Sequence, residues 1–164
     1  ANRVDSKTKE ERCDYPEFIK NGLCYPTGSD VINYGDVERL ILSLEETYGV
    51  KIQSVGYDRY NCISTVNKLE ENGINCIEVK QHSSVLHAPT KLLYEEILKG
   101  KFKFDNNPLF EINFSNCICS YDTNLNRYVH KKRSRGKIDM VVATLDALAL
   151  LQQNELLNDV WVCE

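Results

Sequence analysis

Apolar residues recur at helical spacing in several stretches of the chain. The clearest stretch is residues 36–49, where four apolar side chains fall on one face of a predicted helix: Val37, Leu40, Ile41 and Leu44. The same pattern predicts three further helices, at residues 60–72, within 87–104 with its end at Gly100, and at 138–151, and a short capped helix at "NNPLFEINFSNCI". Pro89 is placed in the first turn of the helix at 87–104, a position that proline tolerates.

Two β-prone segments alternate with the first of these helices. "KIQSVGYD" (51–58) follows the helix at 36–49, and "INCIEVKQ" (74–81) follows the helix at 60–72. This alternation is typical of a parallel sheet with covering helices. Further on, "CICSYD" and "RYVHKK" are joined by the Asn-rich "TNLN" and are predicted to form a hairpin. The predicted class is therefore α/β.

The composition is that of a folded domain. The chain has 164 residues, of which 42% are hydrophobic and 27% are charged, and this is enough to bury a core. We expect a polar, mobile segment over residues 1–14, a domain over residues 15–151 and a C-terminal tail over residues 152–164. No apolar run is long enough to span a membrane, and the chain does not begin with a hydrophobic signal region.

The cysteines indicate reduced thiols. There are seven, an odd number, and none forms a CxxC pair, which is typical of a protein in the cytosol. Cys117 and Cys119 would occupy alternate positions along a strand, an arrangement that does not favour a shared zinc ion.

Two acids stand out by their positions. Asp58 ends an apolar strand, where open α/β sheets place groups that handle ligands. Asp139 begins an almost wholly apolar helix. A carboxylate normally avoids such surroundings unless a hydrogen bond, a cation or a metal compensates its charge. Structural roles remain open, a turn for Asp58 and a helix cap for Asp139. If the fold brings the two acids together, they suit a hard divalent cation, and two such ions can promote phosphodiester cleavage.

Basic residues are concentrated just before Asp139. Six lie from Arg127 to Lys137 with no acid between them, in a chain of net charge −4. Five of them form what we call the basic run: Lys131, Lys132, Arg133, Arg135 and Lys137. A solvated loop is one interpretation. The other is contact with nucleic-acid phosphates, and His130 is the histidine best placed to join it.

Four segments, taken in order, carry a family resemblance. They are "DYPEFIKNGLCYPTGSDVINYGDVERLI", "VGYDRYNCISTVNKLEENGINCIEVKQ", "APTKLLYEEILKGKFKFDNNPLFEINFSNC" and "GKIDMVVATLDALAL". Together they resemble the C-terminal nuclease domain of the large terminase subunits of tailed double-stranded DNA phages. The resemblance covers roughly residues 12–150. It rests on the order and spacing of "YD" and "KID", which are short on their own, with the "NNP" and "N" pair between them at Asn106, Asn107, Pro108 and Asn113.

This resemblance implies a fold, a chemistry and partners. The fold would be ribonuclease H-like, a mixed sheet flanked by helices, with Asp58 and Asp139 as the catalytic, metal-binding acids. The cofactor would be Mg²⁺ or Mn²⁺, with two ions in the intact domain. The activity would be cleavage of concatemeric viral DNA in the cytoplasm of the bacterial host. The implied partners are double-stranded DNA, an ATPase domain of the same polypeptide, the small terminase subunit and the portal, with no membrane.

The sequence departs from the family pattern in one respect. The pattern has a further metal-binding Asp on the first strand of the sheet, before the region that begins at "DY". Asp5 lies in a polar segment with no strand pattern and is not assigned that role, so the domain is expected to be partial, without its first strands. Asp146 lies seven residues after Asp139, on nearly the same helix face, and is kept with His130 as an additional candidate.

Two functions of different class remain open. The first is a metal-dependent DNA endonuclease. The second is a truncated or degenerate module that binds DNA or the packaging machinery without cutting. An unrelated ribonuclease H-like enzyme such as a resolvase would leave the "DY...NG" and "NNP" segments unexplained.

Overall fold

The described chain consists of two compact units. The computed structural model describes residues 3–60 and 62–157, with side chains as far as residue 154. The first unit comprises residues up to 53 together with 63–75, and the second comprises 54–62 together with the residues from 76 onward. Residues 15–151, predicted to form one domain, are thus distributed over both units.

The first unit is helical. Its helices are α1 (Val4–Glu11), α2 (Tyr15–Lys20), α3 (Tyr34–Tyr48) and α4 (Ile63–Glu71). Helix α1 lies in the segment expected to be mobile, and with Val4 as its one apolar residue it has no apolar pattern in the sequence. Asp5 lies in its first turn. The prediction of a helix near 36–49 matches α3, which begins two residues earlier because the side chain of Asn33 accepts a hydrogen bond from the Gly35 N–H.

The second unit contains the strands. Its elements are β1 (Val55–Tyr57), β2 (Cys76–Glu78), α5 (Ser83–Leu98), α6 (Pro108–Asn116), β3 (Cys119–Tyr121), β4 (Arg127–Val129), a 3-10 turn (Lys131–Arg133) and α7 (Asp139–Leu157). Strands β1 and β2 pair in parallel, and β3 and β4 form the predicted antiparallel hairpin. In the described residues the strands therefore form two separate two-stranded sheets.

Helix α5 begins earlier than predicted. The sequence pattern placed its start at residue 87 with Pro89 in the first turn, whereas the structure starts it at Ser83, after the N-cap residue His82. Proline inside a helix removes one backbone hydrogen bond. Burial of Leu86 and Pro89 against the unit offsets that loss, because both side chains lie in the core.

Helix α7 is the centre of the second unit. It packs against α5, α6 and β1. One core cluster around it contains Leu93, Val129, Ile138, Val141 and Leu145, and a second contains Val79, Leu86, Ala149 and Leu150. Ile138 and Leu145 are 0% exposed. The helix runs past the predicted end at residue 151, so residues 152–157 of the predicted tail are helical, and residues 158–164 lie outside the described part.

No helix within the described residues is both long enough and apolar enough to span a membrane.

Candidate functional site

Three carboxylates line one cavity in the second unit. The cavity has a volume of about 560 Å³ and is bordered by Asp58, Asp139 and Asp146. Asp58 directly follows β1, and the other two acids lie on α7. The structure thus brings the two acids singled out in the sequence to the same cavity, together with the additional candidate.

Close packing of β1 on α7 places Asp58. A Cβ atom added at Gly56 would lie 3.2 Å from Leu150 Cδ1 and 3.5 Å from Asp146 Cβ, so the strand backbone lies directly against this helix. Asp58 follows two residues later, at the carboxyl end of the parallel pair, which is the position predicted for it from the sequence. Its Oδ1 atom accepts a hydrogen bond from the Tyr60 N–H at 3.4 Å, and the side chain remains open to solvent.

Asp146 is the buried member of the three. It is 8% exposed, and its Oδ1 atom accepts a hydrogen bond from Gln81 Nε2 at 2.9 Å. Burial raises the pKa of Asp146 above the ordinary value, the hydrogen bond from Gln81 opposes this, and the negative charge of Asp58 adds to the increase. Within the described residues neither Asp58 nor Asp146 forms an ion pair with a Lys, Arg or His side chain. Two neighbouring carboxylates without a cation are the arrangement that a bound cation would stabilise.

Asp139 has a different partner. Its Oδ1 atom accepts a hydrogen bond from Lys131 Nζ at 2.8 Å, and the two side chains are 58% and 70% exposed. Lys131 was predicted to contact DNA and Asp139 to bind metal, so the structure pairs two residues that the sequence analysis assigned to different ligands. The first turn of α7 is capped from another helix, because Asn113 Oδ1 accepts a hydrogen bond from the Met140 N–H at 3.2 Å.

Asn113 holds the start of α7, and with it Asp139, in place. Its side chain is 4% exposed, and its Nδ2 atom donates to the Leu109 carbonyl at 2.9 Å. Replacing Asn113 by alanine is expected to lower the free energy of unfolding by about 1–3 kcal/mol, because it removes both hydrogen bonds of a buried amide and leaves the part-buried Met140 N–H without this acceptor. Urea denaturation of the two proteins measures this loss.

The matched control for this prediction is Asn124→Ala in the β3–β4 turn, where the side chain is exposed. It should change the free energy of unfolding by less than about 0.5 kcal/mol. Equal stability of the two variants would show that Asn113 does not anchor α7.

The basic run lies at the rim of the cavity over part of its length. Lys131, Lys132 and the adjacent His130 line the cavity, and the first two belong to the 3-10 turn. The other three basic residues are exposed but are not among the lining residues: Arg133, Arg135 and Lys137. Arg133 donates from a guanidinium nitrogen to Ser120 Oγ at 3.4 Å.

The donor set matches a hard divalent cation in chemistry. All three acids supply carboxylate oxygens, which Mg²⁺ and Mn²⁺ prefer, and they come from two separate elements. Within the described part of the chain, however, no three His, Cys, Asp or Glu side chains lie close enough together to enclose a metal ion. The arrangement is therefore a set of candidate ligands around a cavity, with Asp58 and Asp146 neighbouring and Asp139 held by Lys131.

Sequence reasoning missed Gln81. This residue follows β2 by three positions, much as Asp58 follows β1 by one, so both lie beyond the carboxyl ends of paired parallel strands. The rule that singled out Asp58 could also have singled out Gln81. Asn113 belongs to the pattern that carries the family resemblance, but its capping role was not predicted, because the bond that it makes depends on the packing of α6 against α7.

The cavity of this α/β unit combines carboxylates that suit a divalent cation with basic residues that attract a polyanion, the chemistry of a site that acts on nucleic acid. The family described as "Terminase large subunit, endonuclease domain" matches residues 1–155, and the chain therefore belongs to this family. The family resemblance and the α/β, ribonuclease H-like fold class predicted from the sequence are thereby confirmed.

The structure is similar to the crystal structure of the HK97 bacteriophage large terminase, with a TM-score of 0.82 and 20% sequence identity. The match covers 92% of this chain and 31% of the HK97 chain, so this chain spans about a third of that terminase. At this identity the likeness shows the fold alone. No curated protein matches this sequence.

Proposed function

We propose that the chain is a divalent-metal-dependent endonuclease domain that cleaves concatemeric viral DNA by phosphodiester hydrolysis during packaging. The observation that carries this proposal is the cavity of the second unit, where Asp58, Asp139 and Asp146 face the same space and Lys131 and Lys132 stand at its rim. Carboxylates beside cations suit a reaction at a phosphate group, because the acids bind metal and the cations attract the polyanion.

The residues of the cavity have separate tasks in this proposal. Asp58, Asp139 and Asp146 hold one or two Mg²⁺ or Mn²⁺ ions, which when bound would activate water and stabilise the leaving oxygen. Gln81 fixes the orientation of the Asp146 carboxylate through its 2.9 Å hydrogen bond. Lys132 and His130 contact the DNA backbone at the rim. Leu86 and Leu145, both buried, form an apolar wall that excludes bulk water from one side.

The partners follow from the family and concern the whole protein. We propose double-stranded DNA as the substrate of this chain. An ATPase domain of the same polypeptide, the small terminase subunit and the portal are proposed as partners of the complete terminase, acting in the cytoplasm of the bacterial host.

The test is cleavage of supercoiled plasmid in Mg²⁺ or Mn²⁺, with a chelator as control. Nicking that the chelator abolishes supports the endonuclease. Absence of cutting, together with salt-sensitive retention of DNA, supports the second function, a module that binds DNA without cutting it. That alternative is favoured by one observation, the exposure of the basic run beside acids that, among the described residues, do not enclose a metal ion on their own.

Binding of DNA should depend on the basic run. Replacing Lys132 and Arg135 by alanine is expected to weaken DNA binding and to reduce the slope of log affinity against log salt by about 2, because each phosphate contact contributes about 0.9. Both side chains are exposed, so the folded state should be unaffected. Fluorescence anisotropy with a labelled duplex, in chelator to prevent cutting, measures both quantities across a salt series.

The double variant Lys91→Ala and Lys101→Ala removes the same charge from α5 and the segment after it. It should leave the salt slope unchanged. If the two double variants lower the slope equally, DNA contacts are not concentrated in the basic run.

A further inference from the structure

The negative charges of the three cavity carboxylates are not equally compensated by basic side chains. Asp139 is paired with the Lys131 ammonium group at 2.8 Å, whereas no described basic side chain forms an ion pair with Asp58 or Asp146. The Lys131 ammonium group therefore occupies an oxygen of an acid that the proposed function assigns to a metal ion. A divalent cation on the same oxygen would be repelled by this ammonium group, and solvent would weaken the repulsion because both side chains are exposed.

Backbone hydrogen bonds fix the segment that carries Lys131, whereas the Lys131 side chain is free to move. The Arg133 and Ser134 N–H groups both donate to the His130 carbonyl at 3.1 Å, and the His130 N–H donates to the Ile118 carbonyl at 2.8 Å. The Lys131 side chain, in contrast, is 70% exposed on a flexible four-carbon stem. It can leave Asp139 without any change in backbone or core packing.

We propose that Lys131 is a positioning residue that acts as an exchangeable counter-ion. It holds the Asp139 carboxylate until a divalent cation takes that carboxylate, and its released ammonium group then contacts the phosphates of bound DNA. This proposal rests on the proposed function. Its consequence is a thermodynamic coupling, because metal binding frees a cation for DNA and DNA binding draws that cation away from the metal ligand.

The test compares Lys131→Met with Lys132→Met. Both residues lie in the 3-10 turn and line the cavity, so each variant removes one positive charge at nearly the same place, but among the described residues only Lys131 is paired with Asp139. Binding of Mn²⁺ is measured calorimetrically on the complete chain without DNA. Lys131→Met is expected to bind Mn²⁺ roughly two- to fivefold more tightly than Lys132→Met, the range that corresponds to an exposed ion pair.

A second measurement follows the coupling itself. DNA affinity is measured with and without Ca²⁺, which occupies carboxylate sites and is chosen to prevent turnover. The gain in DNA affinity on adding Ca²⁺ should be smaller in Lys131→Met than in Lys132→Met, because the first variant has no ammonium group to release.

The outcomes separate this proposal from the one on which it rests. Equal Mn²⁺ affinity and equal coupling in the two variants would overturn the role of Lys131 and leave the metal site standing. A parent chain that binds no Mn²⁺ would overturn the proposed function and the counter-ion together. Thermal unfolding of both variants verifies that they are folded.

Discussion

Asp58→Asn is expected to slow nicking of plasmid DNA by the chain severely. The substitution retains the size of the side chain and one acceptor oxygen but removes the charge that would bind the cation. Metal ions contribute several kcal/mol to such reactions, and each 1.4 kcal/mol corresponds to a factor of about ten in rate. The rate should therefore fall by about two to three orders of magnitude, measured as loss of supercoiled plasmid over time in Mn²⁺.

The control is Asp105→Asn, which removes an exposed carboxylate outside the residues that line the cavity. It should cut at the rate of the parent. Undiminished nicking by Asp58→Asn would mean that the chemistry occurs elsewhere. If neither the parent nor the variants cut while DNA is still retained, the chain is a binding module.

The regular elements that the sequence predicted well are those with an amphipathic or apolar pattern. Helix α3 and the parallel strands follow from local periodicity, and the tendency of ligand-handling groups to follow the carboxyl ends of parallel strands singled out Asp58. Asp139 was a candidate because it begins an apolar helix, and that helix is the centre of the second unit. In each case the signal lies within about a dozen neighbouring residues.

The remaining features depend on contacts between distant segments. Gln81 and Asp146 are 65 positions apart, and no local pattern predicts their hydrogen bond. The pairing of Lys131 with Asp139 depends on how the 3-10 turn directs one long side chain. Helix α1 was missed for another reason, since Val4 is its one apolar residue and a single apolar residue gives no periodic signal.

Asp146→Asn should have opposite effects on stability with and without metal. The pKa of Asp146 is raised in the folded protein, so ionisation of this group destabilises the fold as the pH rises from the ordinary carboxyl range through the raised value. In chelator at neutral pH the variant should melt higher than the parent, and each 1 kcal/mol of stability gained would raise the melting temperature by about 2–4 °C. Asparagine retains an oxygen to accept the hydrogen bond from Gln81, which limits any packing loss.

With saturating Mn²⁺ the order of the two melting temperatures should reverse, so that the parent melts higher than Asp146→Asn. The parent gains stability because the cation binds only the folded state, and Asp146→Asn should lose most of that gain, because one ligand is neutral. Differential scanning calorimetry in chelator and in Mn²⁺ measures both effects.

The matched control is Asp122→Asn. The pKa of Asp122 is lowered to about 2, mainly by hydrogen bonds from Asn126, so the folded state favours the ionised form. This variant should melt lower than the parent at neutral pH and retain the full stabilisation by Mn²⁺. If Asp146→Asn behaves in the same way as Asp122→Asn, the buried carboxylate is an acceptor for Gln81 and has no part in binding metal.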